Sequence, residues 1–383
     1  MSSTGRTRGA GTFSAEQVAA FRMSRHHLSG DSRSSLVSIC RDVGGIQAQV
    51  MSAAELALWT RRRSTRREDV QAALWQRRDL VKTTSLRMTL HLIPARDFRM
   101  YIAAMRASSL ANVHRILKRI GAAPSHVYSM TAVVMEALAE GPKTQQDLLA
   151  RARVRARRGM RIWLKYAWSA MRPAILEGLI CYGPPRGAEA TFVRVDQWLP
   201  RPEGSGEKDE KNETDARLEL ATRFLSGFGP ATHRDFSKWS GLKTSETQQI
   251  FDGLGDLIEP VTVDGVTSLI LKRDRAELAD APLDREPRLL PSFDTFLLAH
   301  AEKDHMVDAP FYKRVYRNQG WLSPVVLVGG RIVAVWSLEQ RAKAFTLDVR
   351  PFASLAARVR EGIHREADAL GRFLGARCEA RIL

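Results

Sequence analysis

Apolar residues in this chain recur at helical spacing, give way to alternation, and then repeat that change. Ser14 with Glu16-Gln17 close behind is a helix-start signal, and Val18, Phe21, Arg22 and Met23 continue it as a first helix. Leu36, Val37 and Ile39 predict a second helix, 53–63 with Leu56, Leu58 and Trp59 a third, and 67–76 with Val70, Ala73 and Leu74 a fourth. Then the period changes. Residues 80–84 and 88–93 are β-branched and alternating, which predicts two strands. Helices followed by a hairpin is the order of a winged helix. Pro94 and Asp97 open a further helix, running to about Lys118.

The pattern has an internal repeat. Gly141-Pro142-Lys143-Thr144-Gln145-Gln146-Asp147-Leu148 recurs as Gly229-Pro230-Ala231-Thr232-His233-Arg234-Asp235-Phe236. Glycine ends a helix, proline prevents its continuation, and threonine caps the next helix with an acid at the third position. Each copy also ends alike. Leu179-Ile180 leads through a Gly/Pro turn at 183–187 to Thr191-Phe192-Val193. Leu257-Ile258 leads through Asp264-Gly265 to 268–271, and Asp-Gly between apolar runs is a strong hairpin signal. The pattern predicts three tandem winged helices, at 13–125, 126–200 and 215–280, after a disordered tail at 1–12. A polar stretch at 201–214 reads as the linker between the second and third units. From about 285 strands dominate: 289–294, 296–298, 325–328, 332–336 and 345–349, with a closing amphipathic helix at 355–374. A small β-barrel over 281–383 fits best, so the expected class is α+β.

Composition narrows the partners. The 383 residues carry 59 Lys and Arg against 42 Asp and Glu, a formal net charge of +17. A balance this basic implies a polyanionic partner, most often nucleic acid. Arginines are dense at 61–67 and 151–158, five in each run. Guanidinium groups grip phosphates, so Arg62, Arg63, Arg155, Arg157 and Arg158 are candidate phosphate contacts. Cys40, Cys181 and Cys378 lie far apart, which disfavours zinc and disulfides and fits a reducing cytoplasm, with action at the nucleoid. No histidine pair has metal-ligand spacing, and no phosphate loop or nucleophile elbow is present. Neither a signal peptide nor a membrane span is expected, and no dimerisation segment is evident, so a monomer is expected.

One compact polar pair stands out. Gln47 and Gln49 flank Ala48 directly after Gly44-Gly45. In an extended backbone both amides share a side; at a helix start they stay close to the helix end. Either way two donor-and-acceptor amides can converge on a small target such as a water. The same pair could equally be a cap or a buried amide network.

Several stretches, taken in order, make the chain resemble the winged-helix DNA glycosylase family typified by AlkZ. They are Gly44-Gly45-Ile46-Gln47-Ala48-Gln49, then Ser85-Leu86-Arg87-Met88-Thr89-Leu90-His91-Leu92-Ile93, and the two repeats. Leu289-Leu290-Pro291-Ser292-Phe293-Asp294 and Pro324-Val325-Val326-Leu327-Val328-Gly329-Gly330-Arg331 complete them. The resemblance runs from about residue 14 to 375. It implies three tandem winged helices and a C-terminal β-barrel forming a C-shaped clamp on double-stranded DNA. It maps the catalytic Gln-x-Gln element onto Gln47 and Gln49, with no metal and no cofactor. A sister branch carries aspartate at the second position, so Gln49 assigns the chain to the AlkZ-like branch. That branch removes bulky alkylations and protects antibiotic producers from their own genotoxins.

The implied chemistry is monofunctional hydrolysis at bulky N7- or N3-alkylated purines, with interstrand crosslinks as a further candidate. Such a purine is already cationic and leaves readily, so the remaining task is to place a water near C1′. The family also contacts DNA from a barrel loop, which points to His300, Lys303 and His305; Arg87 and His91 lie on the first wing. The chain departs from the family at Ala334-Val335-Trp336-Ser337, where Gly-Thr-Trp-Arg is usual. The competing reading is a non-enzymatic winged-helix DNA-binding regulator, since that fold more often binds than catalyses.

Overall fold

The computed structural model describes residues 11–121, 123–155, 167–200, 212–341 and 344–383. The architecture is mixed α+β, with three small three-stranded sheets and one five-stranded sheet. In the first small sheet Leu80–Thr84 pairs antiparallel with Leu90–Pro94, from Leu80 opposite Pro94 to Thr84 opposite Leu90. The short strand Ile46–Gln47 adds to the other side of Leu90–Pro94, with Gln47 opposite His91. Helices Leu36–Asp42, Met51–Arg61 and Arg67–Gln71 cover this sheet, and Ile39, Leu58, Leu74, Leu80 and Leu92 fill the space between. The polar-amide strand is thus pinned by a buried register.

Both copies of the repeat behave as their chemistry requires. Thr144 accepts from Asp147 N and the Asp147 carboxylate accepts from Thr144 N, starting helix Gln145–Arg155. Thr232 and Asp235 make the same reciprocal cap on His233–Ser240. The hairpin Ile258–Val263 and Val266–Leu271 turns through Asp264-Gly265, both left-handed at φ 45° and 83° as a primed hairpin turn demands.

Three boundaries differ from the sequence expectation. Gly11 and Thr12 are not tail: Gly11–Phe13 is a strand running parallel to Ile258–Val263 and completing the third small sheet. Helix Ala15–Arg25 follows that strand and packs on the third unit. Val18 and Phe21 sit in one core with Val261, Ile270 and Leu278, and Arg25 ion-pairs with Asp274 at 2.8 Å. An apolar stripe shows that a helix has a buried face, not which distant element buries it. Third, helix Glu213–Phe228 begins inside the expected linker, with the Asn212 side chain accepting from Asp215 N at 2.8 Å. Residues 201–211 of that linker lie outside the described residues.

The C-terminal sheet also corrects an expectation. Its order is Arg288–Leu290, Val325–Val328, Arg331–Arg341, Ala344–Pro351, Arg377–Ile382. Among the described residues the first and last strands are not paired, so the sheet is open and not a barrel. The reason is the crossover: helix Ala357–Leu374 lies on one face and delivers Arg377–Ile382 parallel to Ala344–Pro351, at the far edge. Ile363, Ala367 and Leu370 then seal Trp336, Leu347 and Val349. The apolar run at 296–298 forms a short 3-10 turn, Thr295–Leu297, capped by Asp294. No helix among the described residues is long and apolar enough to cross a membrane.

Candidate functional site

Three segments interlock around Gln47. The first begins at Gly44 and Gly45, both left-handed at φ 68° and 96°. A Cβ on Gly44 would stand 2.4 Å from the indole of Trp239, so the glycine exists to admit that ring. Ile46–Gln47 then enters the sheet, and Ala48 N donates to Leu90 O at 2.7 Å. The strand stops there. Gln49 lies in a bend ahead of helix Met51–Arg61, so the two glutamines do not share one strand face: Gln47 is buried and Gln49 is exposed.

The second segment is the turn at Leu86–Met88. Arg87 and Met88 are both left-handed, φ 53° and 60°, at a cost of about 1–2 kcal/mol each. This conformation aims the Arg87 guanidinium inward. Its Nη2 donates to Gln47 Oε1 at 3.0 Å and its Nη1 donates to the carbonyl of Trp239. The third segment, Trp239 to Gly241, closes over it. A Cβ on Gly241 would meet Arg87 Cα at 3.0 Å.

These contacts fix the amides. A guanidinium and a backbone N–H can only donate, so oxygen is the Gln47 atom facing Arg87 and the Gln49 atom facing Leu90 N, at 3.4 Å. Both amide nitrogens are left without a hydrogen-bond partner among the described residues. His91, across the ladder from Gln47, is held the same way. Thr89 O lies 3.0 Å from Nδ1 and can only accept, so the proton sits on Nδ1 and Nε2 is an acceptor. Burial, with the Arg87 charge adding to it, pushes the His91 pKa down to about 3. Burial lowers Arg87 to about 10. No carboxylate bonds to Gln47, Gln49, Arg87 or His91 among the described residues. The site therefore offers two amide N–H₂ groups, one neutral imidazole and one cation. It can hold and orient a small polar molecule, and has no strong base of its own.

The other sequence-predicted residues scatter. Arg62 Nε donates to Ser64 Oγ at 3.0 Å, while Arg63 stacks 4.1 Å over Trp59 and ion-pairs with Glu366. Arg155 is exposed and bound to Glu136. Arg157 and Arg158 lie outside the described residues. The 300–305 turn is split: Ala301, Glu302 and Asp304 are exposed, while His300 and Lys303 are buried. Ala301 N donates to Asp235, the cap acid of the third unit, and ties the turn to that unit. His300 is 5% exposed with Nε2 against Phe228 O at 3.1 Å, and Lys303 is 5% exposed with Nζ donating to Leu297 O at 3.0 Å. His305 packs edge-on to His300, 5.0 Å between centroids. Burial, then Lys238, Arg87 and Arg22, bring Lys303 down to about 7 against the opposing pull of Asp235. Trp336, in the stretch that departs from the family pattern, donates Nε1 to Leu290 O and Val325 O inside the core.

Sequence reasoning missed Trp239 and the Arg61–Asp294 pair. The only trace of the first is Gly44-Gly45 itself, whose left-handed backbone leaves room for a ring from 195 residues later. Beside Arg87 opens a cleft of about 200 Å³, walled by Met88, Ser108, Asn112, Arg115 and Lys243. Among the described residues, no group of three or more His, Cys, Asp and Glu could hold a metal ion.

Comparison with known proteins adds three matches. A family model described as DNA glycosylase AlkZ-like matches residues 40–373. An interstrand DNA cross-link repair glycosylase of Streptomyces sahachiroi is 30% identical over 366 residues, 94% of this chain and 96% of that protein. The solved structure of the Streptomyces sahachiroi DNA glycosylase AlkZ superposes with a TM-score of 0.84 at 27% identity, covering 97% of this chain and all of that one.

Proposed function

The chain belongs to the AlkZ-like DNA glycosylase family, and from that premise we propose that Gln47 and Gln49 carry its hydrolytic step. The substrate would be a bulky purine alkylated at N7 or N3, within duplex DNA, and the product an abasic site. The observation that carries this reading is the fixed pair of amides: both oxygens are engaged by donors, and both nitrogens have no partner among the described residues. An amide N–H of either glutamine can donate to a water whose own O–H donates a hydrogen bond to the second lone pair of the other's oxygen. That leaves a water lone pair for C1′.

A neutral pair suffices because the leaving base is cationic. Among the described residues no carboxylate bonds to the pair, which suits a lesion that departs without acid help. No lysine bonds to either amide among the described residues, in keeping with a proposed monofunctional cleavage that ends at the abasic site. Each small sheet with its helices is taken as a winged helix, and with the open C-terminal sheet they form a C-shaped clamp for a monomer acting in the cytoplasm. A relative named for interstrand cross-link repair extends the proposed substrates to crosslinks.

The test is alkali-dependent scission of a duplex bearing one N7-methylguanine, and of one bearing a bulkier N7 adduct. Wild type should cleave, and Gln47→Ala or Gln49→Ala should cleave about 100- to 1,000-fold more slowly with DNA binding intact. Either variant cleaving like wild type would remove that glutamine from the chemistry.

A further inference from the structure

The cleft beside Arg87 is an anomaly of charge. It lies between the first wing turn, helix Phe98–Arg119 and the start of helix Thr244–Gly253. Arg87, Arg115 and Lys243 all line it. None of the three side chains has a carboxylate partner among the described residues. Its one acid, Glu246, is already engaged by Ser108 at 3.1 Å and Arg217 at 3.3 Å. Arg87 is the telling member. Two of its five N–H donors are spent on Gln47 and on Trp239 O, and the rest have no hydrogen-bond partner among the described residues. A partly buried cation without an anion is costly unless an anion arrives.

We infer that this cleft is a phosphate clamp that seats one phosphodiester of the lesion-bearing strand beside Gln47. The inference rests on the reading of Gln47 and Gln49 as the hydrolytic pair and adds where the strand is held. Arg115 and Lys243, both exposed, reach the phosphate from the solvent side. Arg87 reaches it from beneath. Asn112 adds a polar group to the same wall. The volume, about 200 Å³, suits a phosphate with part of its sugar. Because the guanidinium that meets the phosphate also holds Gln47 Oε1, seating the strand and orienting the amide become one event. Arg87 is then a positioning residue, acting through Gln47.

Methylphosphonate substitution tests this directly. Duplexes with one lesion are made with each flanking phosphodiester replaced, one at a time, by a neutral methylphosphonate. Binding is read by anisotropy and base release by alkali scission, for wild type and for the Arg115→Gln/Lys243→Gln double variant. Both side chains are exposed, and matching thermal melts verify the fold. In wild type one position on the lesion strand should weaken binding by roughly 10- to 100-fold, the worth of one or two charge-assisted hydrogen bonds. In the double variant that same position should keep only the smaller effect that Arg87 alone supports, while the remaining positions keep theirs in full. The salt slope of the variant should fall by about one phosphate contact.

If every position acts equally in wild type and variant, the clamp is overturned. Equal binding and salt slope for the two proteins overturn it too. Should no duplex lose its base in wild type, the glycosylase assignment of the pair fails, and the anisotropy arm still decides the clamp.

Discussion

Replacing either partner of the Arg61–Asp294 pair should unhinge the chain more than any change to its surface arginines. Both side chains are 0% exposed, and the guanidinium meets the carboxylate through two parallel bonds of 2.8 Å. Arg61 Nη1 also donates to Ala57 O, and Asp294 also accepts from Phe296 N at 3.0 Å to cap the turn that follows. Asp294→Ala strands a buried guanidinium, at a cost of about 3–5 kcal/mol, with about 1 more for the lost cap. Arg61→Met strands the carboxylate at a similar cost of about 3–5 kcal/mol. The double variant removes both charges and should cost no more than the worse single one. The coupling energy is then at least about 3 kcal/mol. Urea unfolding at pH 7 measures all four corners of the cycle. Additive costs, or single variants each losing under about 1 kcal/mol, would refute the reasoning. The pair matters for function because Arg61 ends the helix that follows Gln49, while Asp294 opens the turn after the first strand of the C-terminal sheet.

Gly44→Ala should lose about 2–5 kcal/mol, from a left-handed alanine and from a methyl 2.4 Å from the Trp239 ring; a smaller ring at 239 should restore part of it, and no rescue by Trp239→Phe would deny the fit. Four histidines are held neutral by burial, His26 and His300 well below the ordinary value and His91 and His305 at about 3. The unfolded chain binds their protons below about pH 6.5, so stability should fall with pH, by about 1.4 kcal/mol per unit for each histidine once titrated, until their folded values are reached. Urea midpoints that stay level from pH 7 to 5 would contradict this. Lys303, lowered to about 7, has the opposite window: its burial penalty is complete below pH 7 and fades as pH rises toward the ordinary lysine value. Lys303→Met should therefore gain on wild type by a few kcal/mol more at pH 6.5 than at pH 10, and a difference independent of pH would show the amine charged throughout.

Much of this molecule is local, and local order is what a sequence states. The Thr144–Asp147 and Thr232–Asp235 caps, the Ser14–Gln17 cap and the Asp264-Gly265 turn each satisfy backbone groups within a few residues. Their spacing alone identifies them, and with them the two repeats and the hairpin of the third unit. Gln47 and Gln49 were visible because two amides after two glycines are unusual in any context. What surrounds them was not visible. Gly44 is free to be only glycine because Trp239 lies on it, and Gln47 presents nitrogen outward because Arg87, forty residues on, claims its oxygen. The strand Gly11–Phe13 looked like tail because its partner, Ile258–Val263, is some 250 residues away. Within the 300–305 turn nothing local marks His300 and Lys303 as the buried members, because the Phe228 and Leu297 carbonyls that hold them lie outside it. The C-terminal strands alternated as a barrel would. Whether such a sheet closes depends on which edge the last strand joins, and helix Ala357–Leu374 carried it to the far one. Periodicity reports that a face is buried; only the folded chain decides against what, and the chemistry of the site lies in that choice.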